Sequence, residues 1–247
     1  MTPADGLSIL LEDYFDASPR TAASAETVGP FTLFVGRGSW GYYARPRRGH
    51  ATAISVEDVR ALLQRQRALD VPQEAEWQPQ ITPSLDDACR GAGMAVYTFT
   101  LMVHDGTPTP DDPDVSIAGP DDDLEALLSA QQQGFGGTSR VDPGAVDQLR
   151  SRIVAGTTRV ASGGDGPPVC VGMHQPIGAV SEVVGVATLP SHRRRGWAGR
   201  VTQTLVVDAR EMGVSTVFLS AADESVASVY RRVGFRQVGL VCAAEAE

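Results

Sequence analysis

Along residues 180–242 the spacing of apolar positions alternates between two periods. Val180 to Leu189 is an apolar, β-branched run that Pro190 ends, since proline has no N–H for a ladder; the run predicts a buried strand over 180–189. From Gly196 the spacing lengthens: Trp197, Val201, Leu205, Ala209 and Met212 recur every three or four residues, one face of a helix over 196–212. A strand over 215–220, a helix over 224–233 and a strand over 235–242 follow. This alternation predicts a mixed sheet with helices on both faces. The connection from Leu189 through the helix to Val217 is then a parallel, right-handed crossover.

Upstream, residues 7–15 form a short amphipathic pattern that ends near Ser18-Pro19. Strands over 31–35 and 40–44 are predicted to join as a hairpin through Gly36-Arg37-Gly38. Arg45-Pro46-Arg47-Arg48 reads as a solvated loop. Ser55 caps a helix over 56–69, with Asp58 offering an incomplete capping box and Val59, Leu62, Leu63 and Gln66 forming the inner face. A helix over 83–89 is closed by Gly91, and a strand spans 94–103. Residues 105–114, rich in proline and aspartate, cannot bury a core and read as a linker. Beyond it come a strand over 115–118 and a helix headed by Asp121 to Asp123. A glycine-rich stretch, Gly134 to Gly137, precedes a helix over 143–152 and strands over 157–161 and 168–174. The expected organisation is an α/β module at 1–104, a linker at 105–114 and a larger α/β domain at 115–247.

Composition narrows the class. A chain of 247 residues with 42% hydrophobic content can bury real cores, and it contains no run of 18 apolar residues. The N-terminus lacks the basic and apolar segments of a signal peptide, so a cytoplasmic location with no membrane contact is expected. Cys89, Cys170 and Cys242 are scattered, and His50, His104, His174 and His192 lack ligand spacing; no metal is expected. The formal charge of −9 argues against nucleic acid and favours a cationic acceptor. Arg193, Arg194 and Arg195 are the local exception.

Their position gives them chemistry. The first turn of a helix leaves N–H groups without partners at the positive end of its dipole, which suits a phosphate. Gly196 and Gly199 place no side chain in a ligand's way, and the arginines add positive charge. The run Arg193-Arg194-Arg195-Gly196-Trp197-Ala198 resembles the Arg/Gln-x-x-Gly-x-Gly/Ala signature of the GNAT N-acetyltransferases, which grips the pyrophosphate of acetyl-CoA. Glu182 to Thr188 resembles that family's fourth strand and Val217 to Ser220 its fifth. Ser228 to Phe235 is similar to its Leu-Tyr-x-x-x-Gly-Phe ending. The match is good over about 150–242 and weaker back to about 115. The sequence departs from the pattern at Asp223, where asparagine is frequent, and at Arg194, where glycine is frequent.

The resemblance implies an acyl-CoA N-acyltransferase fold preceded by a smaller module, itself open to reading as a degenerate acetyltransferase half. It implies acetyl-CoA as cosubstrate, held by Val186, Ala187 and Thr188 through their backbone and by Arg193, Arg194, Arg195, Gly196, Trp197, Ala198 and Gly199. Asp223 and Ser228 complete that set. The acceptor is an amine, either a small molecule or on a peptide or protein, and the chain acts as a monomer or homodimer. Transfer needs a base for the ammonium, a donor for the developing oxyanion and an acid for the departing thiolate. Glu182 is the candidate base; strand alternation is expected to set it on one face with Val184, Val186 and Thr188, where burial raises its pKa. Tyr230 is the candidate acid. The alternative is a module that binds acyl-CoA without transfer.

Overall fold

The computed structural model describes residues 3–36, 41–107 and 112–246. In chain order the elements are α1 (Pro3–Arg20), β1 (Ala23–Val28), β2 (Phe31–Gly36), β3 (Arg45–Pro46), α2 (Val56–Ala68), β4 (Glu74–Trp77), α3 (Ser84–Gly91) and β5 (Met94–His104). They continue as β6 (Val115–Ala118), α4 (Leu124–Gly134), α5 (Pro143–Val154), β7 (Arg159–Gly163), β8 (Cys170–Ile177), β9 (Val180–Thr188), α6 (Trp197–Glu211), β10 (Thr216–Ala221), α7 (Glu224–Val233) and β11 (Phe235–Ala246). Among the described residues no helix is long and apolar enough to cross a membrane. Two compact units emerge. One comprises Met1–Leu101, Ser220–Asp223 and Val238–Glu247, and the other Met102–Leu219 and Glu224–Gln237. The expected linker lies within the second unit, and its residues 108–111 fall outside the described residues.

In the first unit β1 and β2 pair antiparallel from Ala23↔Gly36 to Val28↔Phe31, turning at Gly29, whose φ of +53° suits a residue without Cβ. The hairpin expected between 31–35 and 40–44 is therefore replaced by one between β1 and β2. Residues 37–40, which include most of the expected turn and Trp40, lie outside the described residues, and β3 adds only Arg45 and Pro46 to the sheet. The capping box at α2 is complete rather than incomplete, because Asp58 is long enough to return the bond: its N–H donates to Ser55 Oγ (3.2 Å) and its Oδ2 accepts from the Ser55 N–H (2.9 Å). Val59, Leu62, Leu63 and Gln66 are buried as expected, and the first two are fully enclosed with Trp77 and Leu85. Arg45 is not solvated. It is 4% exposed, pairs with Glu76 and lays its guanidinium 3.8 Å from the Phe15 ring centre.

The second unit is built on β6, β7, β8 and β9, each antiparallel to the next, with β10 parallel to β9. Helices α4 and α5 cover one face through Leu124, Leu127, Leu149 and Ile153 against Val160, Val171 and Met173. Helix α6 covers the other with Val201, Leu205 and Ala209, all fully buried, each leucine or valine worth about 1.5–3 kcal/mol of transfer from water. The approach is close: a Cβ at Gly172 of β8 would lie 3.1 Å from both Val201 and Leu205 side chains.

Candidate active-site cleft

Strand β9 carries a bulge that redirects its end. Val171 faces Ala187 and Met173 faces Val184, so Gly185 and Val186 together oppose the single residue Gly172. Gly185 has φ +63°, and a Cβ there would sit 2.5 Å from Gln131 Nε2, which donates to the Gly185 carbonyl at 2.7 Å. The bulge corrects the expected single face. Val184 packs with α4 and α5, whereas Val186 points to Gly172 and α6, and Thr188 donates to Cys170 Sγ on that same side. Glu182, two residues before Val184 in regular register, shares its face with Val184 but not with Val186 or Thr188.

The pairing with β10 is short. It runs through Thr216↔Val180, Val217↔Ser181 and Phe218↔Glu182 and goes no further. Past Glu182 the backbone of β9 is thus released from β10, and Val186, Ala187 and Thr188 line a cleft of about 1070 Å³. Peptide groups on such a parted edge can bond an extended ligand arm as another strand would.

The floor of the cleft is the start of α6. Pro190–His192 form a 3-10 turn, Arg194 takes φ +62° and Gly196 φ +83°, and α6 begins without a side-chain cap. Its first N–H groups therefore remain available to a ligand. A Cβ at Gly196 would meet nothing within 4 Å, so the glycine serves its left-handed backbone and the open space before the helix. Arg193 turns inward: its guanidinium donates to the carbonyls of Gly134 (2.8 Å) and Thr188 (3.3 Å), fastening the loop to the end of α4. Trp197 is buried, and a Cβ on Gly163 would lie 2.8 Å from its ring. Arg200 stacks on that ring at 4.2 Å and bonds Asp112 and Asp114 at 2.5 Å; its guanidinium holds the Asp112 carboxyl below the usual range.

Of the residues singled out in the sequence, Val186, Ala187, Thr188, Arg193, Arg194, Gly196, Trp197, Ala198 and Gly199 line this one cleft. Arg195, Glu182, Ser228 and Tyr230 are not among its lining residues, and Asp223 precedes α7 as an exposed member of the first unit. Gly134 and exposed Phe135, from the glycine-rich stretch noted in the sequence, also line it, whereas sequence reasoning missed Asp112, Arg200 and the Gly106–Gly234 contact, where a Cβ on Gly106 would fall 3.0 Å from Gly234 Cα. Only folding assembles them, so spacing carried no signal.

Behind the wall, Tyr230 packs edge-on against Phe235 with ring centres 5.9 Å apart. Burial, then the neighbouring Cys170, pushes its phenol up to about 12. Burial likewise raises the Cys170 thiol to about 11, against the opposing pull of the Thr188 hydrogen bond. Both groups hold their protons at neutral pH.

A second polar group is sealed in the core. His174 bonds Ser181 Oγ through Nδ1 (2.8 Å) and Asp208 Oδ2 through Nε2 (2.7 Å), and Arg159 donates to both Asp208 oxygens at 2.9 and 2.6 Å. The types match a nucleophile–base–acid relay. Ser181 and His174 are fully buried, however, and neither lines the cleft. The group instead joins β8 and β9 to α6. Burial opposes ionisation of Asp208, but the bonds from His174 and Arg159 prevail and hold it at about 2.

Residues 118–238 match the family model of the acetyltransferase (GNAT) domain. The fold is similar to that of a GCN5-related N-acetyltransferase from Kribbella flavida, with TM-score 0.72 and 18% identity over 97% of this chain and 95% of that one. A functionally unknown conserved protein from Staphylococcus epidermidis is similar at TM-score 0.62 and 11% identity, over 91% of this chain and 94% of its own. A GCN5-related N-acetyltransferase from Sphaerobacter thermophilus is similar at TM-score 0.55 and 19% identity, over 73% of this chain and 62% of its own. No curated protein sequence matches the chain.

Proposed function

We propose that this chain, whose residues 118–238 match the acetyltransferase (GNAT) domain, moves an acetyl group from acetyl-CoA to a primary amine by direct attack. The observation that carries the reading is the parting of β9 from β10 after Glu182, directly above an uncapped α6 whose first residues open on the same cleft. When bound, acetyl-CoA supplies an acetyl group activated as a thioester. Val186, Ala187 and Thr188 bind its extended arm through their backbone, and the α6 amides from Trp197 to Gly199 hold the pyrophosphate beside Arg194. The open space at Gly196 fits this use, because a side chain there would occupy the cradle. Arg193 serves by holding the loop in place.

Glu182 takes the proton of the acceptor ammonium, and Tyr230 returns one to the departing thiolate. The acceptor is a small-molecule amine or an amine of a peptide or protein, and the net charge of −9 favours its approach as a cation. Two observations favour a second reading, binding without transfer: neither Glu182 nor Tyr230 is among the cleft-lining residues, and Tyr230, only 9% exposed with its phenol at about 12, parts with its proton less readily than an ordinary tyrosine near 10.

Turnover with acetyl-CoA and a panel of amines, followed by thiol release, separates the two. Transfer predicts release with at least one amine class; binding of acetyl-CoA without release from any leaves the binding module. Glu182→Gln lowers turnover at neutral pH and recovers part of it at higher pH, where the amine loses its own proton. Tyr230→Phe falls by about 10-fold to about 1000-fold without that rescue. Full turnover in both variants would remove these two residues from the chemistry and leave proximity and backbone polarisation.

A further inference from the structure

We propose that Arg231 and Arg232 form a second anion subsite beside the α6 cradle, and that it takes the ribose phosphomonoester at the nucleotide end of the acyl carrier. The protein then selects CoA over its 3′-dephospho form. This inference rests on the acyl-CoA reading above and adds to it the group that sets cosubstrate specificity.

The cleft of this acidic chain is lined by Arg193, Arg194, Arg200, Arg231 and Arg232, with Asp112 as its one lining carboxylate among the described residues. Most of these cations are already assigned. Arg193 is spent on two carbonyls, Arg200 is neutralised by Asp112 and Asp114, and Arg194 lines the cleft from the loop that precedes α6. The last two are held weakly. Arg231 donates to both oxygens of Glu224 at 2.5 and 3.0 Å, a carboxylate whose side chain is 78% exposed, and Arg232 donates to Ser228 Oγ at 2.9 Å. Solvent screens the exposed Arg231–Glu224 pair and Ser228 is neutral, so an incoming dianion competes for both guanidinium groups.

Their placement supplies the rest. Val233, the residue after Arg232, approaches the first turn of α6: a Cβ on Gly199 would lie 3.6 Å from Val233 Cγ2. Arg231 and Arg232, just before Val233 on α7, line the same cleft as the α6 residues Trp197 to Arg200. Arginine near a helix C-terminus is ordinary, because it complements the dipole. Two successive arginines that both line a cleft and neither of which meets a buried carboxylate are better matched to a ligand. A phosphomonoester carries about −1.5 to −2 charge at neutral pH and presents oxygens that fit the guanidinium fork. The pyrophosphate is taken by amides, and the phosphomonoester is the remaining strong anion of CoA.

Calorimetric titration of the full chain with CoA and with 3′-dephospho-CoA tests this. The expected result is a preference for CoA of at least about 10-fold, the scale of hydrogen bonds to a charged group. Arg231→Gln/Arg232→Gln should bring CoA down to the affinity of the dephospho form and leave the latter unchanged. Arg236→Gln, which removes an exposed arginine paired with Asp105 away from the cleft lining, should keep the full preference. The substituted side chains are exposed, and an unchanged melting temperature without ligand verifies the fold. Equal binding of both ligands by the unaltered protein overturns the subsite while leaving the acyl-CoA reading intact. A preference that survives in the double variant overturns the residue assignment, and failure to bind either ligand removes the acyl-CoA reading together with this one.

Discussion

Helix α6 ends in two opposite electrostatic arrangements. Its N-terminus has no side-chain cap, follows two left-handed residues and opens on the cleft with exposed Arg194 nearby. Near its C-terminus, Asp208 is 8% exposed, and both its oxygens are filled by Arg159 and His174, which in turn bonds Ser181. Each bonding group at the sealed end has a partner supplied by the protein, while at the open end the backbone donors await a ligand. One helix thus serves both as anchor and as binding element. Saturated buried bonds fix its position against β8 and β9, and that rigidity keeps the unsatisfied amides aimed.

The largest expected effect breaks the anchor. Asp208→Ala leaves the Arg159 guanidinium and His174 without their carboxylate in a buried site and should cost about 3–5 kcal/mol, read by urea unfolding. A loss below about 1 kcal/mol would mean that the relay does not secure the helix. Gly196→Glu attacks the other end. It forces a side chain into a left-handed position, at a cost of about 1–2 kcal/mol in urea unfolding, and sets a negative charge before the amides, so acetyl-CoA affinity should fall by about 100-fold or more. Retained affinity with an intact fold would move the phosphate away from this turn.

Acid titration sharpens the contrast. Asp208 is held at about 2, below the ordinary aspartate near 3.9, so its contribution is fully present above about pH 4 and disappears as pH falls toward 2. Stability should decline by about 2 kcal/mol from this group across that window, and Asp208→Asn should lack that component. Urea midpoints at a series of pH values provide the check; equal acid sensitivity in both proteins would dissociate the carboxylate from the effect. Smallest is Gly163→Ala, whose Cβ would press on the Trp197 ring and should cost about 1–3 kcal/mol, toward the lower limit if the ring shifts. Because Trp197 opens α6, acetyl-CoA affinity should drop with stability in this variant. Unchanged melting and affinity would show that the ring yields at no cost.

Legibility followed the local character of each feature. Helix α2 was readable because its cap, apolar face and end all lie within fifteen or so residues, and α6 was readable for the same reason. Strands β1 and β4 were missed: Ala23–Val28 and Glu74–Trp77 are short and rich in alanine, glutamate or small polar residues, and pairing with β2 and β11 makes them strands. Arg45 looked solvated because its neighbours are cationic, yet Phe15 and Glu76, both remote in sequence, bury it.

The sequence alone determined the order of strands and helices from residue 115 onward, the family resemblance and one stretch, Val186 to Gly199, most of whose residues line the cleft. These depend on hydrophobic period, on proline and glycine backbone limits and on helix-end amides, all of which act within a few residues. Tertiary structure alone decided the face of Glu182, because one extra residue at the bulge opposite Gly172 reverses the alternation beyond it. It also decided that His174, Ser181, Asp208 and Arg159 meet in a sealed group, and that the ends of α4 and α7 close the same cleft as α6. Those outcomes depend on contacts between residues tens of positions apart, which exist only once the sheet has set the register of its strands.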